Sequence, residues 1–220
     1  MVTNVLARFP KGRLPIGEGL VKINLGSGLH VAPGWINVDA SLNAFLAGKP
    51  DRLLRLSYRL TGSRNYYSEA EYVSRLRGNR FIHHDLRRGV PIGNSSADFC
   101  YCSHFLEHLY LDQAVPLLRE VLRVLKPDGV FRIAVPDLDH AVGLYRAGDR
   151  KRFLQYFFLP SAEPDLSRHR YMYDYETLAD TLKQAGFVGI VRCKYREGTV
   201  PDLAFLDNRP DETLFVEARR

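Results

Sequence analysis

The sequence has few cysteines and no long apolar run, and both absences exclude whole classes of protein. Its 220 residues include three cysteines, too few for the disulfide framework of a small secreted domain. No apolar run reaches the roughly 18 residues of a membrane-spanning helix, and residues 1–21 lack the apolar core of a signal peptide. We therefore expect a cytoplasmic protein without a membrane span, in which Cys100 and Cys102 are reduced core residues.

The chain also lacks a concentrated block of charge. It has 31 basic and 25 acidic residues, giving a formal net charge of +6, which permits an anionic partner such as RNA, a membrane surface or a phosphorylated substrate. The arginines are spread along the chain, with only short pairs such as Arg87-Arg88. A solvated, arginine-rich surface is therefore favoured. The length fits one domain over residues 1–220.

Residues 22–40, KINLGSGLHVAPGWINVDA, contain a strand, a glycine turn and a second strand that ends in a carboxylate. The turn is Gly26-Ser27-Gly28, and the carboxylate is Asp39. Glycines let the backbone approach a ligand closely, and an acid at this place can accept hydrogen bonds from ribose hydroxyls. The dinucleotide pattern G-x-G-x-x-G fails, because Val31 stands at the third glycine position. A nucleotide site and a plain turn between strands are both open.

The same alternation of short apolar runs and helical spacing continues along the chain. Further strands are predicted at residues 81–85, 97–102 and 130–135, with a closing antiparallel pair at 189–195 and 213–218. Asp112 is predicted to cap a helix that ends before Pro127-Asp128-Gly129. Residues 40–79 indicate a helical crossover or cap. Residues 138–173, rich in aromatic side chains and arginine, indicate an inserted cap over the carboxyl ends of the strands.

These motifs, taken in order, resemble the class I S-adenosylmethionine-dependent methyltransferases. The resemblance covers residues 21–187 and is carried by Asp85-Leu86, by SHFLEHL at 103–109 and by REVLRVLKPDG at 119–129. It implies an α/β fold with a Rossmann-like sheet, mostly parallel with an antiparallel closing strand, with helices on both faces and the inserted cap. It extends to the type 11-like, polysaccharide-tailoring subgroup, with the O-methyltransferases of methylmannose polysaccharide synthesis as one candidate.

The resemblance implies S-adenosylmethionine as the cofactor and assigns residues to it. The glycine turn would lie beneath the methionine part, Asp39 would hold the ribose diol, and Asp85 with Leu86 would meet the adenine. The cofactor set implied in this way is Leu25, Gly26, Ser27, Gly28, Asp39, Ala40, Asp85, Leu86, Ser103 and His104.

A hydroxyl acceptor must lose its proton, which a positioned histidine or a metal ion can bring about. We predict His104, His140 and Asp137 as catalytic residues, since they follow the fourth and fifth strands. Asp137, Asp139 and His140 are also predicted as a magnesium site, the alternative being carboxylates that cap a helix or line a loop. The residues predicted to contact the acceptor are His169, Tyr171, Tyr173 and Asp174.

Three functions are open on these grounds. O-methylation of a sugar hydroxyl is favoured, because the resemblance points to glycan tailoring and the aromatic residues of the inserted cap suit stacking on a sugar. The positive charge permits RNA methylation, although no RNA-binding module is appended. The third function is that of a catalytically silent, cofactor-binding partner subunit. We expect a small saccharide as the partner rather than a nucleic acid, and a homodimer is also open.

Overall fold

The sheet of the protein is seen in a computed structural model that describes residues 19–60, 62–158 and 167–220. The strands in this part lie in the order β3-β2-β1-β4-β5-β7-β6. They are β1 (Lys22–Leu25), β2 (Ile36–Asp39), β3 (Arg80–His83), β4 (Ala97–Ser103), β5 (Leu125–Pro136), β6 (Val188–Cys193) and β7 (Thr213–Arg219). The first five run parallel, and β7 is antiparallel to both β5 and β6.

Helices lie in most of the connections between strands, although the described residues between β1 and β2 contain none. The three between β2 and β3 are α1 (Leu42–Leu46), α2 (Asp51–Leu60) and α3 (Glu69–Gly78). Helix α4 (Leu111–Val124) joins β4 to β5, and α5 (Leu138–Arg146) and α6 (Arg150–Gln155) follow β5. Helix α7 (Tyr175–Ala185) precedes β6, and α8 (Leu203–Leu206) precedes β7. Within the described ranges, none of these helices combines the length and the apolar character needed to cross a membrane.

The predicted fold class is confirmed, and two predicted element boundaries are wrong. Helix α4 is capped at Tyr110 rather than at Asp112, because the extended backbone continues to Tyr110 and helical geometry begins at Leu111. Strand β5 begins at Leu125 rather than Val130, since Leu125 already pairs with Ala97 of β4. The inserted cap is described only in part, because residues 159–166 lie outside the described ranges.

Apolar side chains bury both faces of the sheet. One face packs against α4 and α7, in a cluster that includes Leu118, Leu182 and the free cysteines Cys100 and Cys102. The other packs against α8, with Leu206 in contact with the Trp35 cluster. Since both faces are covered, the carboxyl ends of the parallel strands form the open edge at which a ligand can bind.

A buried arginine ties the end of the chain to this sheet. The Arg132 side chain in β5 has no exposed surface, and its Nε and Nη2 donate to the two carboxylate oxygens of Asp207 at 3.0 and 2.6 Å. Its Nη1 donates to Glu217 of β7 at 3.3 Å, and its guanidinium also reaches the backbone carbonyls of Lys194 and Glu197. The loop after β6 is therefore held to the sheet by charge as well as by packing.

Replacing Arg132 by methionine should lower the free energy of unfolding by about 3–5 kcal/mol, because Asp207 and Glu217 would stay buried without a cation. The matched control is Arg77→Met, which removes an exposed ion pair with Asp51 and should cost at most about 1 kcal/mol. Urea denaturation of both variants measures the difference. Equal losses in the two variants would contradict a special role for the buried network.

Candidate functional site

The glycine turn after β1 requires its glycine. Gly26 adopts a φ of +67°, and a Cβ added there would collide with the ring of Phe105. The Gly26 N–H donates to the carbonyl of Val38 at 2.9 Å, which fixes the turn against the end of β2. Any side chain at position 26 would therefore displace Phe105 or strain the backbone.

A cavity of about 460 Å³ opens at the carboxyl ends of β1 and β2, and we call it the strand-end cavity. Its size is in the range of sites for small organic ligands. The residues that line it are Gly26, Asp39, Ala40, Ser41, His84, Asp85, Leu86, Arg87, Phe105, His108, Leu109, Tyr110, Gln113 and Arg170.

Asp39 enters this cavity as an oriented carboxylate. One oxygen accepts a hydrogen bond from the Gly28 N–H at 2.8 Å, and the other accepts from the Ser41 N–H at 2.7 Å. Each carboxylate oxygen has a second lone pair. Asp39 can therefore accept two further hydrogen bonds from adjacent hydroxyls of a ligand while the turn holds it in place.

Asp85 and Leu86 form another wall of the strand-end cavity. The Asp85 carboxylate pairs with Arg87 at 2.8 Å and caps the short 3-10 turn at Leu86–Arg88. Partial burial raises the pKa of Asp85, but hydrogen bonds from Arg87 outweigh that effect and hold the pKa below its usual value. The Leu86 side chain is buried beside it. This wall thus offers an ionised acceptor next to an apolar surface, which suits a purine ring and its amino group.

A second cavity of about 410 Å³ lies under the inserted cap, and we call it the cap-side cavity. Its lining is mainly polar and consists of His104, Glu107, His108, Pro136, Arg152, Gln155, Tyr156, Ser167, His169, Arg209 and Glu212. His108 lines both cavities, so the two sites adjoin at this side chain.

His104 and Glu107 form a pair at the floor of the cap-side cavity. His104 has a φ of +48°, an uncommon backbone conformation for a residue with a side chain. Its Nδ1 lies 3.4 Å from Oε1 of Glu107, and its Nε2 lies 3.2 Å from the hydroxyl of Thr213. Burial raises the pKa of Glu107, but its contact with His104 outweighs burial, and the carboxyl stays ionised with a lowered pKa.

The structure brings half of the implied cofactor set to the strand-end cavity. Those five residues are Gly26, Asp39, Ala40, Asp85 and Leu86. Leu25, Ser27, Gly28 and Ser103 do not line it, although Gly28 acts on it by orienting Asp39. His104 belongs to the cap-side cavity instead.

The predicted cluster of Asp137, Asp139 and His140 does not form a metal-binding group in the described part of the chain. Asp137 caps helix α5: one of its oxygens accepts from the Asp139 N–H at 3.0 Å, and the other pairs with Arg192 at 2.9 Å. His140 packs against Tyr156, with ring centroids 6.3 Å apart. The capping alternative therefore describes Asp137 better than the magnesium site does.

Three of the four residues predicted to contact the acceptor lie outside the lining of the cap-side cavity. Tyr173 is fully buried in the core, and Asp174 caps α7 by accepting from the Thr177 N–H at 2.8 Å. Tyr171 packs against the same core, edge-on to Tyr173. Of the four, His169 is the one that lines the cap-side cavity.

Sequence reasoning named neither Glu107 nor His108 as a functional candidate. Both lie within the SHFLEHL motif, immediately after β4, where side chains from a parallel sheet meet ligands. A glutamate beside a histidine at a predicted strand end was the available signal. The cavity residues Arg152, Arg209 and Glu212 carried no comparable signal, because they come from loops and helices distant in the sequence.

Comparison with known families covers part of the lining of each cavity. Residues 49–133 match the family model described as Methyltransferase domain, of the Methyltransf_11 type. This segment of the chain is similar to a methyltransferase domain. The match covers α2, α3, β3, β4, α4 and part of β5. For the matched segment, this similarity agrees with the predicted enzyme class, an S-adenosylmethionine-dependent methyltransferase. A search of curated protein sequences returned no match.

Solved structures share the fold at low sequence identity. The S-adenosylmethionine-dependent methyltransferase SibL, in its apo form, is 17% identical with a TM-score of 0.53 over 91% of this chain. A methyltransferase from Thermotoga maritima is 15% identical with a TM-score of 0.53 over 94% of this chain and 83% of its own. A chain from the complex of the Haloferax volcanii Trm112 methyltransferase activator with a methyltransferase is 15% identical, with a TM-score of 0.51 and coverages of 94% and 84%. The chain spans 50% of the length of SibL.

The residues of the strand-end cavity fit S-adenosylmethionine. Gly26 lines the cavity with backbone alone, Asp39 offers open lone pairs for a ribose diol, and Asp85 with Leu86 offers an acceptor beside an apolar wall. These features match the roles that the resemblance implies for the methionine, ribose and adenine parts.

Replacing Asp39 by alanine should weaken S-adenosylmethionine binding by about 1–3 kcal/mol, the usual loss for hydrogen bonds to a charged group. Isothermal titration calorimetry measures this change. The matched control is Asp98→Ala, since Asp98 pairs with Lys126 outside both cavities. Unchanged affinity in a folded Asp39→Ala protein, or an equal loss in the control, would remove Asp39 from the cofactor site.

Proposed function

We propose that the protein is an S-adenosylmethionine-dependent O-methyltransferase that acts on a sugar hydroxyl of a saccharide or polysaccharide precursor. The observation that carries the proposal is the pairing of His104 with the buried Glu107 at the floor of the cap-side cavity. A histidine oriented by a carboxylate is a typical general base. His104 lies in the cap-side cavity, which adjoins the strand-end cavity.

In this proposal the two cavities divide the work of the reaction. S-adenosylmethionine, when bound, supplies a methyl group on a positively charged sulfur. Gly26, Asp39 and Asp85 bind and orient it in the strand-end cavity, while the cap-side cavity binds the acceptor. Holding two reactants in line can contribute about 7–11 kcal/mol to lowering a barrier. Orientation across the boundary at His108 is therefore the main contribution of the protein.

Removal of the acceptor proton is assigned to His104. Its Nδ1 faces the ionised Glu107, so the neutral ring carries its proton on Nδ1 and leaves the lone pair on Nε2. Nε2 lies beside the Thr213 hydroxyl at 3.2 Å, a place that an acceptor hydroxyl could share. Nε2 would take the acceptor proton, and Glu107 would stabilise the resulting imidazolium. Proton removal assisted by magnesium at Asp137 is less favoured, because the cap of helix α5 and the ion pair with Arg192 already engage both carboxylate oxygens of Asp137.

The lining of the cap-side cavity supports a hydroxyl-rich acceptor. Gln155, Ser167 and Glu212 offer hydrogen-bond partners, and Tyr156 offers an aromatic ring. Arg152 and Arg209 would also accept an anionic group on the acceptor. Because these arginines would also suit a phosphate group, RNA methylation is the alternative function. The limited volume of the cap-side cavity, about 410 Å³, favours a small saccharide over a long polynucleotide.

The quaternary state is also a proposal. Helices α1 and α2 expose apolar side chains, among them Phe45, Leu56 and Leu60, which would suit a homodimer contact. The structurally similar Haloferax chain is found with a methyltransferase activator, so an activator subunit is the competing occupant of such a surface. A partner subunit without activity of its own is the remaining alternative.

Replacing His104 by glutamine should reduce turnover by about 10²–10⁴-fold, the usual contribution of a general base. Affinity for S-adenosylmethionine should stay near that of the wild type, because His104 lines the cap-side cavity alone. The matched control is His30→Gln: His30 is also partly buried and bonds the carbonyl of Leu206, but lines neither cavity. Turnover of His104→Gln close to the wild-type value would remove His104 as the base.

The acceptor class is tested by transfer of a radiolabelled methyl group from S-adenosylmethionine to two panels. One contains simple and partly methylated oligosaccharides, and the other contains total and fragmented RNA. The proposal expects base-stable label in a saccharide and background label in RNA. Label in RNA alone would replace the proposal with its alternative. Background label in both panels, with intact cofactor binding, would favour the silent subunit.

A further inference from the structure

Glu107 is a buried carboxylate whose oxygens lack hydrogen-bond partners among the described residues. The residue is 1% exposed, and neither Oε1 nor Oε2 meets the geometry of a hydrogen bond. The contact with His104 at 3.4 Å engages one oxygen electrostatically and leaves the other open. An ionised carboxylate in this position needs positive charge close by.

Two further histidines face the same carboxylate. Glu107, His108 and His169 each offer a ligand-type atom, and the three atoms lie within 4.8 Å of one another. The rings of His108 and His169 are 5.3 Å apart, and Nε2 of His108 lies 3.9 Å from Oε1 of Glu107. The histidines come from different parts of the chain, one from the turn after β4 and one from the inserted cap.

The Nδ1 atom of each of these two rings already has a hydrogen-bond partner in the backbone. Nδ1 of His108 lies 3.2 Å from the carbonyl of Arg168, and Nδ1 of His169 lies 2.6 Å from the carbonyl of Tyr156. A carbonyl can only accept, so each Nδ1 carries the proton and each Nε2 keeps its lone pair. Histidines that bind metals in proteins are held in this way, with the other ring nitrogen donating to a carbonyl or carboxylate.

We propose that Glu107, His108 and His169 bind a divalent transition-metal ion at the boundary between the two cavities. Two imidazole nitrogens and one carboxylate oxygen suit zinc, iron, cobalt or manganese, whereas magnesium and calcium prefer oxygen ligands. Ligand atoms of a tetrahedral ion lie about 3.3 Å apart. Because the three ligand atoms lie within 4.8 Å of one another, they would approach one another by at most about 1.5 Å around the ion.

The ion would have a position for the acceptor. Three protein ligands leave at least one coordination position open, and all three side chains line the cap-side cavity. An oxygen of the acceptor could take that position and be held beside Nε2 of His104. This role rests on the proposed function, whereas the presence of the ion does not.

Cobalt titration of the chelator-treated full chain tests the ion itself. With neither cofactor nor acceptor present, the wild type should bind one equivalent of Co²⁺ and develop visible absorption bands. His169→Ala and Glu107→Gln should weaken that binding by at least about 10–100-fold, the loss seen even for groups behind the ligands. The matched control is His140→Ala, since His140 packs on Tyr156 of the same cap but lies outside the cluster.

The outcomes separate this inference from the proposed function. Absence of saturable binding by the wild type would overturn it, and so would wild-type affinity in His169→Ala. Loss of binding in His140→Ala with retention in His169→Ala would also overturn it and move the ion to the Asp137 cluster. His169→Ala keeps the test valid if Glu107→Gln fails to fold. A failure to methylate saccharides leaves the titration unchanged.

Discussion

The candidate site depends on one costly feature, the burial of the Glu107 carboxylate at the end of β4. A charge removed from water must be balanced by its surroundings, or the group takes up a proton. Three imidazoles, those of His104, His108 and His169, come close to this carboxylate. In the proposed arrangement the Nδ1 proton of His104 faces the carboxylate, and a cation bound by Glu107, His108 and His169 would complete the charge balance.

The same residue holds the inserted cap to the sheet. The backbone N–H groups of Arg170 and Tyr171 donate to the Glu107 carbonyl at 2.7 and 3.2 Å. Residues 167–171, which bring His169 into the cap-side cavity, are thus attached to the turn that carries His104 and His108. On the other side, Arg132 holds the loop after β6 through Asp207. Both attachments are polar contacts between segments distant in sequence, and together they position the walls of the cavity.

Sequence reasoning could predict the parts of the protein governed by local chemistry. The glycine turn at Gly26, the acid Asp39 at the end of β2 and the end of helix α4 before Pro127 follow from backbone sterics and side-chain type, and the structure has each of them. The predicted helix cap at Asp112 was wrong, because the cap of helix α4 lies two residues earlier, at Tyr110. Asp137 was ambiguous in sequence, since a metal-binding carboxylate and a helix cap use the same residue type.

The histidine cluster was beyond sequence reasoning for a different reason. His108 and His169 are 61 positions apart, and their approach depends on how the inserted cap folds back over the sheet. Nothing in the local pattern specifies that return. The buried arginine had a visible signal, a single charge in the apolar run at residues 130–135, but its partners Asp207 and Glu217 could be found only from the pairing of β5 with β7 and the loop before it.

The central claim is that the strand-end cavity holds the cofactor with its reactive sulfur directed toward the cap-side cavity. A crystal structure of the protein with S-adenosylhomocysteine tests this most directly. The account predicts the ribose on Asp39, the adenine beside Asp85 and Leu86, and the sulfur at the boundary formed by Phe105 and His108. A sulfur directed away from His104, or a ligand bound outside the strand-end cavity, would contradict the account.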